Sequence, residues 1–100
     1  MEDLLEAIAH PGRRAMLRAV GDREVPAGEL AALAGLKQPA ASQHLRVLRD
    51  AGLVDVRVDG QRRLYRANAD GLERLRAELD AFWRPNLAKL KRAAERESTS

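Results

Sequence analysis

The sequence predicts a mainly α-helical domain that carries one small β-hairpin, an α+β fold within 100 residues. Apolar residues recur at helical spacing in five segments, which indicates five helices. Between the fourth and the fifth lies an alternating stretch with Asp59-Gly60 at its middle, a dipeptide that favours a tight hairpin turn. We expect one folded domain over residues 1–95 and a frayed tail over 96–100.

Three short helices come first. The first, over about residues 2–9, ends at the His10-Pro11-Gly12 break, and the second ends at Gly21. Pro26 fits the first turn of the third helix, which Gly35 closes. The apolar residues expected to face inward from these helices are Leu4, Leu5, Ile8, Met16, Leu17, Val20, Leu30, Leu33 and Ala34.

The fourth helix, residues 38–51, follows the turn Gly35-Leu36-Lys37. A three-residue link that contains glycine sets two helices at a steep angle. At about 100° per residue, the apolar residues Ala41, Leu45 and Leu48 fall on one side of this helix. The opposite side collects Pro39, Ser42, Gln43, Arg46, Arg49 and Asp50. One side is therefore predicted to be core, and the other a surface of hydrogen-bonding groups.

The hairpin is predicted over residues 53–67. Val54, Val56 and Val58 alternate on one face, and the chain turns at Asp59-Gly60 and returns to Ala67. A short turn, a helix with a polar face and a basic hairpin follow one another in the order of a winged helix-turn-helix. This order indicates that the partner is double-stranded DNA.

A long last helix is predicted over about residues 70–94, with Asp70 as its N-cap. Pro85 lies inside it, where a proline costs roughly 3 kcal/mol. The apolar stripe keeps its phase across Pro85, so we expect one kinked helix rather than two separate ones. Because one face of a small domain cannot cover so long a stripe, we expect a homodimer. Its predicted interface comprises Leu4, Leu5, Ile8, Leu72, Leu75, Leu79, Phe82, Trp83, Leu87 and Leu90.

The charge is mildly basic, with a net +3, and it is unevenly distributed. Residues 37–66 contain seven basic and three acidic side chains, a net of +4. A basic segment that coincides with the predicted helix and hairpin favours a polyanionic partner. No run approaches the roughly 18 apolar residues of a membrane span, and the acidic N-terminus is unlike a signal peptide, so we expect a cytoplasmic protein without membrane contact.

The stretch PAASQHLRVLRDAGLVDVRVDGQRRLYRA resembles the ArsR/SmtB family of bacterial winged-helix repressors, in which a Ser-x-His-Leu helix leads into AGLV and a wing that ends in tyrosine. HPGRRAMLRAV and GLERLRAELDAFWRPNLAKLK resemble the family's second helix and its dimerisation helix. The resemblance implies a homodimeric repressor that binds an inverted-repeat operator. It implies that Gln38, Ser42, Gln43 and Arg46 act on the recognition helix and that Arg62 and Arg63 act at the wing. Lys37 stands where the family often has serine or threonine, which removes a side-chain cap and offers a charge to phosphate.

The complete set of predicted DNA contacts is Lys37, Gln38, Pro39, Ser42, Gln43, Arg46, Arg49, Arg57, Arg62 and Arg63. Glutamine can bond an adenine edge in two places, and arginine can pair with guanine or phosphate. Two alternatives remain open: a non-specific architectural DNA-binding protein, and a winged-helix protein-interaction module. We expect no catalytic residue, because the sequence contains no cysteine, no paired histidine and carboxylate, and no glycine-rich phosphate loop.

No metal and no cofactor are expected. The family's metal sensors use cysteines in the third helix or an Asp, His and Glu set in the last helix, and this chain has neither. The effector is therefore either absent or an organic ligand held between subunits near Phe82 and Trp83. His44 falls at the edge of the buried side, which favours a structural histidine bonded to a backbone carbonyl over a ligand. His10 is expected to be a helix cap or a surface residue.

Overall fold

A computed structural model describes residues 4–99 of the chain, with side chains over 4–97. Within these residues five helices and three strands follow one another as α1 (Leu4–Ala7), α2 (Pro11–Ala19), β1 (Val25–Pro26), α3 (Ala27–Leu33), α4 (Gln38–Asp50), β2 (Val54–Asp59), β3 (Arg62–Ala67) and α5 (Ala69–Thr99). The mainly α class, the five helices and the hairpin are confirmed. Residues 2 and 3 of the predicted first helix lie outside the described residues.

The sheet has a third strand, β1, that was not predicted from the sequence. The strand order is β1-β3-β2, and β1 pairs antiparallel with β3 through Val25 opposite Tyr65 and Pro26 opposite Leu64. Pro26 is therefore in extended backbone, with φ −65° and ψ 149°, and α3 begins after it. Its predicted place in the first helical turn was wrong, because its fixed φ and missing N–H suit an edge strand equally well.

One apolar core fills the space between the helices and the sheet. Its members are Leu4, Ala7, Met16, Val20, Val25, Leu30, Leu45, Leu48, Leu53, Val54, Tyr65 and Leu75. Leu33 was predicted to face inward but is 54% exposed. The face of α3 that packs on the core carries Ala27, Leu30, Ala31 and Ala34, and Leu33 lies roughly 110° from the centre of that face at 100° per residue.

Two arginines of α2 hold the four-residue helix α1 in place. Arg14 donates from Nη1 to the carbonyl oxygens of Ile8 at 2.8 Å and Ala9 at 3.0 Å. Arg13 donates from Nη2 to the carbonyl oxygen of Glu6 at 3.2 Å. A helix this short is not stable by itself, so satisfying its terminal carbonyls from the next helix stabilises it.

The start of α5 lies against the turn that follows α4. Asn68, rather than the predicted Asp70, caps this helix, because its Oδ1 accepts from the Gly71 N–H at 2.8 Å. Gly71 is buried, and a Cβ placed on it would lie 1.9 Å from the carbonyl oxygen of Gly52. The backbones of α5 and the α4–β2 turn therefore touch directly, and only glycine permits this approach.

Helix α5 continues without interruption through Pro85. Its 31 residues span about 46 Å at 1.5 Å per residue, and the molecule measures 66 × 26 × 25 Å. The helix includes residues 96–99, for which a frayed tail was predicted, and Ser100 lies outside the described residues. Residues 91–97 are mostly Ala, Glu, Arg and Lys, which favour continuation of a helix. Over residues 4–99, no helix is both long enough and apolar enough to cross a bilayer.

Candidate nucleic-acid interface

Helix α4 and the β2–β3 hairpin form the walls of an open groove of about 890 Å³. Seven of the ten predicted DNA contacts line it: Gln38, Ser42, Gln43, Arg46, Arg49, Arg62 and Arg63. The helix supplies the amides, the hydroxyl and two arginines, and the hairpin supplies the other two arginines. Residues 25 positions apart in sequence therefore meet on one surface.

The side of α4 that faces the groove is determined by the apolar residues that are buried on its opposite side. Ala41, Leu45 and Leu48 are at most 1% exposed, whereas Ser42 and Arg46 are exposed. The predicted division of this helix into a core side and a polar side is confirmed. Burial of the apolar side fixes the rotation of the helix about its axis, so the groove side chains have a defined direction.

The first turn of α4 has no side-chain cap. Lys37 occupies the N-cap position in extended backbone, and its side chain makes no capping hydrogen bond. The backbone N–H groups at this end, with their partial positive charge, are therefore open to an anion. Lys37 and Pro39 are exposed but lie outside the groove lining.

Arg57 is engaged elsewhere. Its Nε lies 2.6 Å from Oε2 of Glu24, and its Nη2 lies 3.0 Å from Oε1 of the same carboxylate. The hydrogen bond from Arg57, followed by its charge, lowers the pKa of Glu24, and the carboxylate in turn raises the pKa of Arg57. Arg57 does not line the groove, so this geometry does not support the predicted contact between Arg57 and DNA.

Arg62 and Arg63 lie next to the tip of the hairpin. Arg63 is opposite Val58 in the strand register and so projects on the face that carries Tyr65. An Nη of Arg62 lies 3.6 Å from the carboxylate of Asp59 across the turn, with both side chains more than half exposed. Such an exposed pair is weak and leaves the arginine available to phosphate.

The groove lining also includes six residues outside the predicted DNA-contact set: Pro26, Ala27, Gly28, Asp50, Gln61 and Tyr65. Asp50 lies on the predicted polar side of α4. The two-residue turn consists of Gly60 and Gln61, between the paired residues Asp59 and Arg62, one residue later than the predicted Asp59-Gly60 turn. A polar residue between a turn glycine and two arginines is the signal that would have included Gln61.

The predicted dimer residues separate into three groups by their exposure. Leu4 and Leu75 are 8% and 7% exposed and belong to the core of the single chain, so their assignment to a partner surface is corrected. Leu5, Ile8, Leu72 and Leu79 are partly buried against that core. The exposed apolar residues are Phe82, Trp83, Leu87 and Leu90, at 54%, 50%, 56% and 63%.

His44 packs against another histidine. Its ring centroid lies 4.1 Å from that of His10, with an interplanar angle of 35°. His10 is the N-cap of α2, as expected, and its Nδ1 accepts from the Gly12 N–H at 3.0 Å. The predicted partner of His44, a backbone carbonyl, is replaced by this ring, because the α1–α2 break lies beside α4. Burial, then the charges of His10 and Arg13, lower the pKa of His44.

The carboxylates of α5 are organised by an arginine. Arg76 donates from Nε to Glu73 at 3.1 Å and from Nη1 to Asp80 at 2.8 Å. Within the side chains described over residues 4–97, no three histidine or carboxylate groups are arranged to hold a metal ion. Glu73 and Asp80 are therefore both ion-pair partners of Arg76.

The family model described as a helix-turn-helix domain matches residues 8–57. The HTH-type transcriptional regulator Rv2034 of Mycobacterium tuberculosis is 42% identical over 78 residues, which cover 78% of this chain and 73% of the relative. The biofilm growth-associated repressor of Agrobacterium fabrum is 39% identical over 80 residues, which cover 80% of this chain and 68% of the relative.

Solved structures show the same architecture. A possible transcriptional regulator for arsenical resistance is 42% identical, with a TM-score of 0.84 over 93% of this chain and 97% of that chain. The homodimeric winged helix-turn-helix domain Mb0332 of Mycobacterium bovis, a possible ArsR-family regulator, is 27% identical, with a TM-score of 0.65 over 84% and 78%. By its sequence, its fold and the groove between helix and wing, the chain belongs to the winged helix-turn-helix transcriptional regulators of the ArsR/SmtB type.

Proposed function

We propose that the chain is a homodimeric repressor of transcription that binds an inverted-repeat operator through α4 and the wing, here defined as β2, β3 and their turn. The observation that carries the proposal is the groove itself. Four arginines line it together with Gln38, Ser42 and Gln43. Arginines bind phosphate in any sequence, whereas amide and hydroxyl groups read base edges, so the combination favours sequence-specific binding.

The roles divide between the two walls of the groove. Ser42, Gln43 and Arg46 lie on the exposed side of a helix that has the width of a major groove, and they read base edges there. Arg62 and Arg63 at the wing tip bind phosphate or enter the adjacent minor groove. The uncapped first turn of α4, beginning at Lys37, adds a phosphate contact through backbone N–H groups.

A second copy of the chain covers the exposed apolar residues of α5. Phe82, Trp83, Leu87 and Leu90 are each at least half exposed. Burial of about 400 Å² of apolar surface gives on the order of 10 kcal/mol before the cost of association. Twofold symmetry then places the two recognition helices roughly 34 Å apart, which is one turn of DNA and requires an inverted repeat.

The proposal assigns the chain a binding function rather than catalysis, in the cytoplasm where bacterial DNA is located. Any effector is an organic ligand held between the two copies near Phe82 and Trp83, where aromatic surface is exposed. Repression itself needs no effector, because a dimer bound at a promoter excludes polymerase by occupancy.

Two measurements test this function. The DNA that flanks the coding region is searched for inverted repeats, and each is titrated with the protein by fluorescence anisotropy. We expect nanomolar affinity for one of them, against a scrambled duplex bound at least about 10³-fold more weakly. Equal affinity for both duplexes would favour the architectural alternative, and a monomer in sedimentation would favour the protein-interaction module.

A further inference from the structure

We propose that His10 and His44 form a positioning contact that holds the recognition helix α4 against the start of α2 only while the His44 ring is uncharged, so that acid releases the operator. This inference rests on the proposed function, since it concerns the regulation of the same groove. It assigns a role to two side chains that lie outside the groove lining.

The first half of the contact is fixed by a hydrogen bond. His10 caps α2 by accepting the Gly12 N–H at Nδ1, at 3.0 Å. This hydrogen bond fixes the position and direction of the His10 ring at the start of α2.

His44, the other residue of the contact, lies on the recognition helix α4. His44 follows Gln43 directly and lies two residues after Ser42, so it moves with the side chains that line the groove. Its ring faces that of His10 at 4.1 Å and 35°. Because Nδ1 of His10 already accepts from the Gly12 N–H, we treat the pair as a packing contact between the two rings.

The surroundings penalise a charge on His44. The basic groups that act on it are His10, from the α1–α2 break, and Arg13, from α2. Its neighbours one turn away on α4 are Ala40, Ala41, Val47 and Leu48, which carry no charge. A protonated His44 would therefore be partly buried opposite Arg13 with no carboxylate from these elements to balance it.

The sign of the pH dependence follows. The pKa of His44 in the folded chain is below its ordinary value of 6.5. The neutral contact therefore contributes its full stability above about pH 6.5, and that contribution decreases as the pH falls through 6.5 towards the lowered pKa. Once His44 is charged, repulsion by Arg13 displaces it, and α4 loses one of its attachments to α2.

A simple charge effect has the opposite sign. A histidine that gains a proton on a DNA-binding protein ordinarily strengthens binding, because it adds a positive charge near phosphate. Loss of the positioning contact instead weakens binding in acid. The direction of the change therefore separates the two explanations.

The test measures operator affinity at pH 7.5 and at pH 5.5 in the same salt, for the unaltered chain, His44→Gln and His10→Asn. Each protein's affinity at pH 5.5 is divided by its own affinity at pH 7.5. We expect the unaltered chain to lose affinity several-fold at pH 5.5, because a charge on His44 weakens the contact. Both variants should lose less than half of that factor, since glutamine cannot titrate and asparagine caps α2 without a second ring. Circular dichroism at each pH confirms that each variant is folded.

The same ratio in all three proteins, or tighter binding by the unaltered chain at pH 5.5, would overturn the inference. NMR titration of the His44 ring in the unaltered chain gives a reading that needs no DNA. A midpoint below 6.5 that rises in His10→Asn is expected, and a midpoint at or above 6.5 would overturn the contact. Failure of the unaltered chain to bind any flanking duplex at pH 7.5 would instead contradict the proposed function.

Discussion

Under the proposed function, we expect the side chains of the groove to divide into those that discriminate between DNA sequences and those that bind any duplex. Ser42 and Arg46 project from the exposed side of α4, and Arg62 projects from the wing. A side chain that reads a base edge contributes to the difference in affinity between two sequences, whereas one that binds phosphate contributes equally to both. Mutation of a base-reading side chain should therefore change the ratio of the affinities for two sequences, whereas mutation of a phosphate-binding side chain should lower both affinities equally.

Arg46→Ala is expected to lower operator affinity by about 1–3 kcal/mol while changing affinity for scrambled DNA much less. Ser42→Ala should act in the same direction with a smaller effect.

Arg62→Ala should weaken binding to all duplexes alike and reduce by about one the slope of log affinity against log salt concentration. Anisotropy titrations of both duplexes at several salt concentrations separate these results. A purely sequence-dependent loss for Arg62→Ala would reverse the assigned roles.

Gly71 is the residue at which a single methyl group should do most damage to the fold. A Cβ there would meet the Gly52 carbonyl oxygen at 1.9 Å, and backbone on both sides prevents relief. Gly71→Ala should lower the free energy of unfolding by about 3 kcal/mol, measured by urea denaturation. Gly21→Ala is the matched control, since its Cβ would lie 3.4 Å from the Arg18 carbonyl oxygen, and it should change stability by less than about 0.5 kcal/mol.

At the scale of elements, the wing is held by more than its own ladder of hydrogen bonds. Arg57 of β2 pairs with Glu24, which precedes β1, so the ion pair ties the hairpin to the strand on the far side of β3. The pKa of Glu24 is below its ordinary value of 4.5 because of this partner. The pair therefore contributes stability above about pH 4.5 and loses it as the pH falls through the lowered pKa.

Arg57→Ala should lower affinity for DNA less than Arg62→Ala does, because the charge of Arg57 is already matched by Glu24. The measurement is affinity for the scrambled duplex, where only phosphate contacts count. Glu24→Gln provides the control, since it frees Arg57 and should raise that affinity. Equal losses for Arg57→Ala and Arg62→Ala would place Arg57 at the phosphates after all.

Elements with a strong period were predictable from sequence, and elements defined by distant partners were not. The two sides of α4 follow from the positions of Ala41, Leu45 and Leu48 alone, and the structure keeps them. Strand β1 has only two residues and so shows no alternation, because it exists through its pairing with β3. The ring contact of His44 joins residues 34 positions apart, and no local pattern encodes such a pair.

The apolar stripe of α5 is a second feature that could be predicted only in part from the sequence. Its spacing predicted one helix across Pro85 but could not divide the stripe between the chain's own core and a partner. Leu75 is buried by α5 packing within the chain, whereas Trp83 is half exposed. The division depends on where the body of the domain ends along the helix, which is a property of the whole fold.

At the scale of the whole molecule, the proposed binding to an inverted repeat requires two copies of the chain. Trp83→Glu should shift sedimentation towards the monomer and abolish tight operator binding, because a carboxylate would have to be buried against apolar surface. Leu33→Glu is the matched control: Leu33 is 54% exposed but lies on α3, away from the proposed interface. It should leave the dimer intact. Retention of the dimer by Trp83→Glu would show that other residues form the interface.

The central claim is that a dimer of this chain reads a specific inverted repeat. Analytical ultracentrifugation of the protein with a labelled flanking duplex, at several salt concentrations, tests it most directly because it reports stoichiometry and affinity together. The account predicts two chains per duplex, with affinity at least about 10³-fold above that for a scrambled duplex of equal length. One chain per duplex, or many chains coating both duplexes equally, would contradict it.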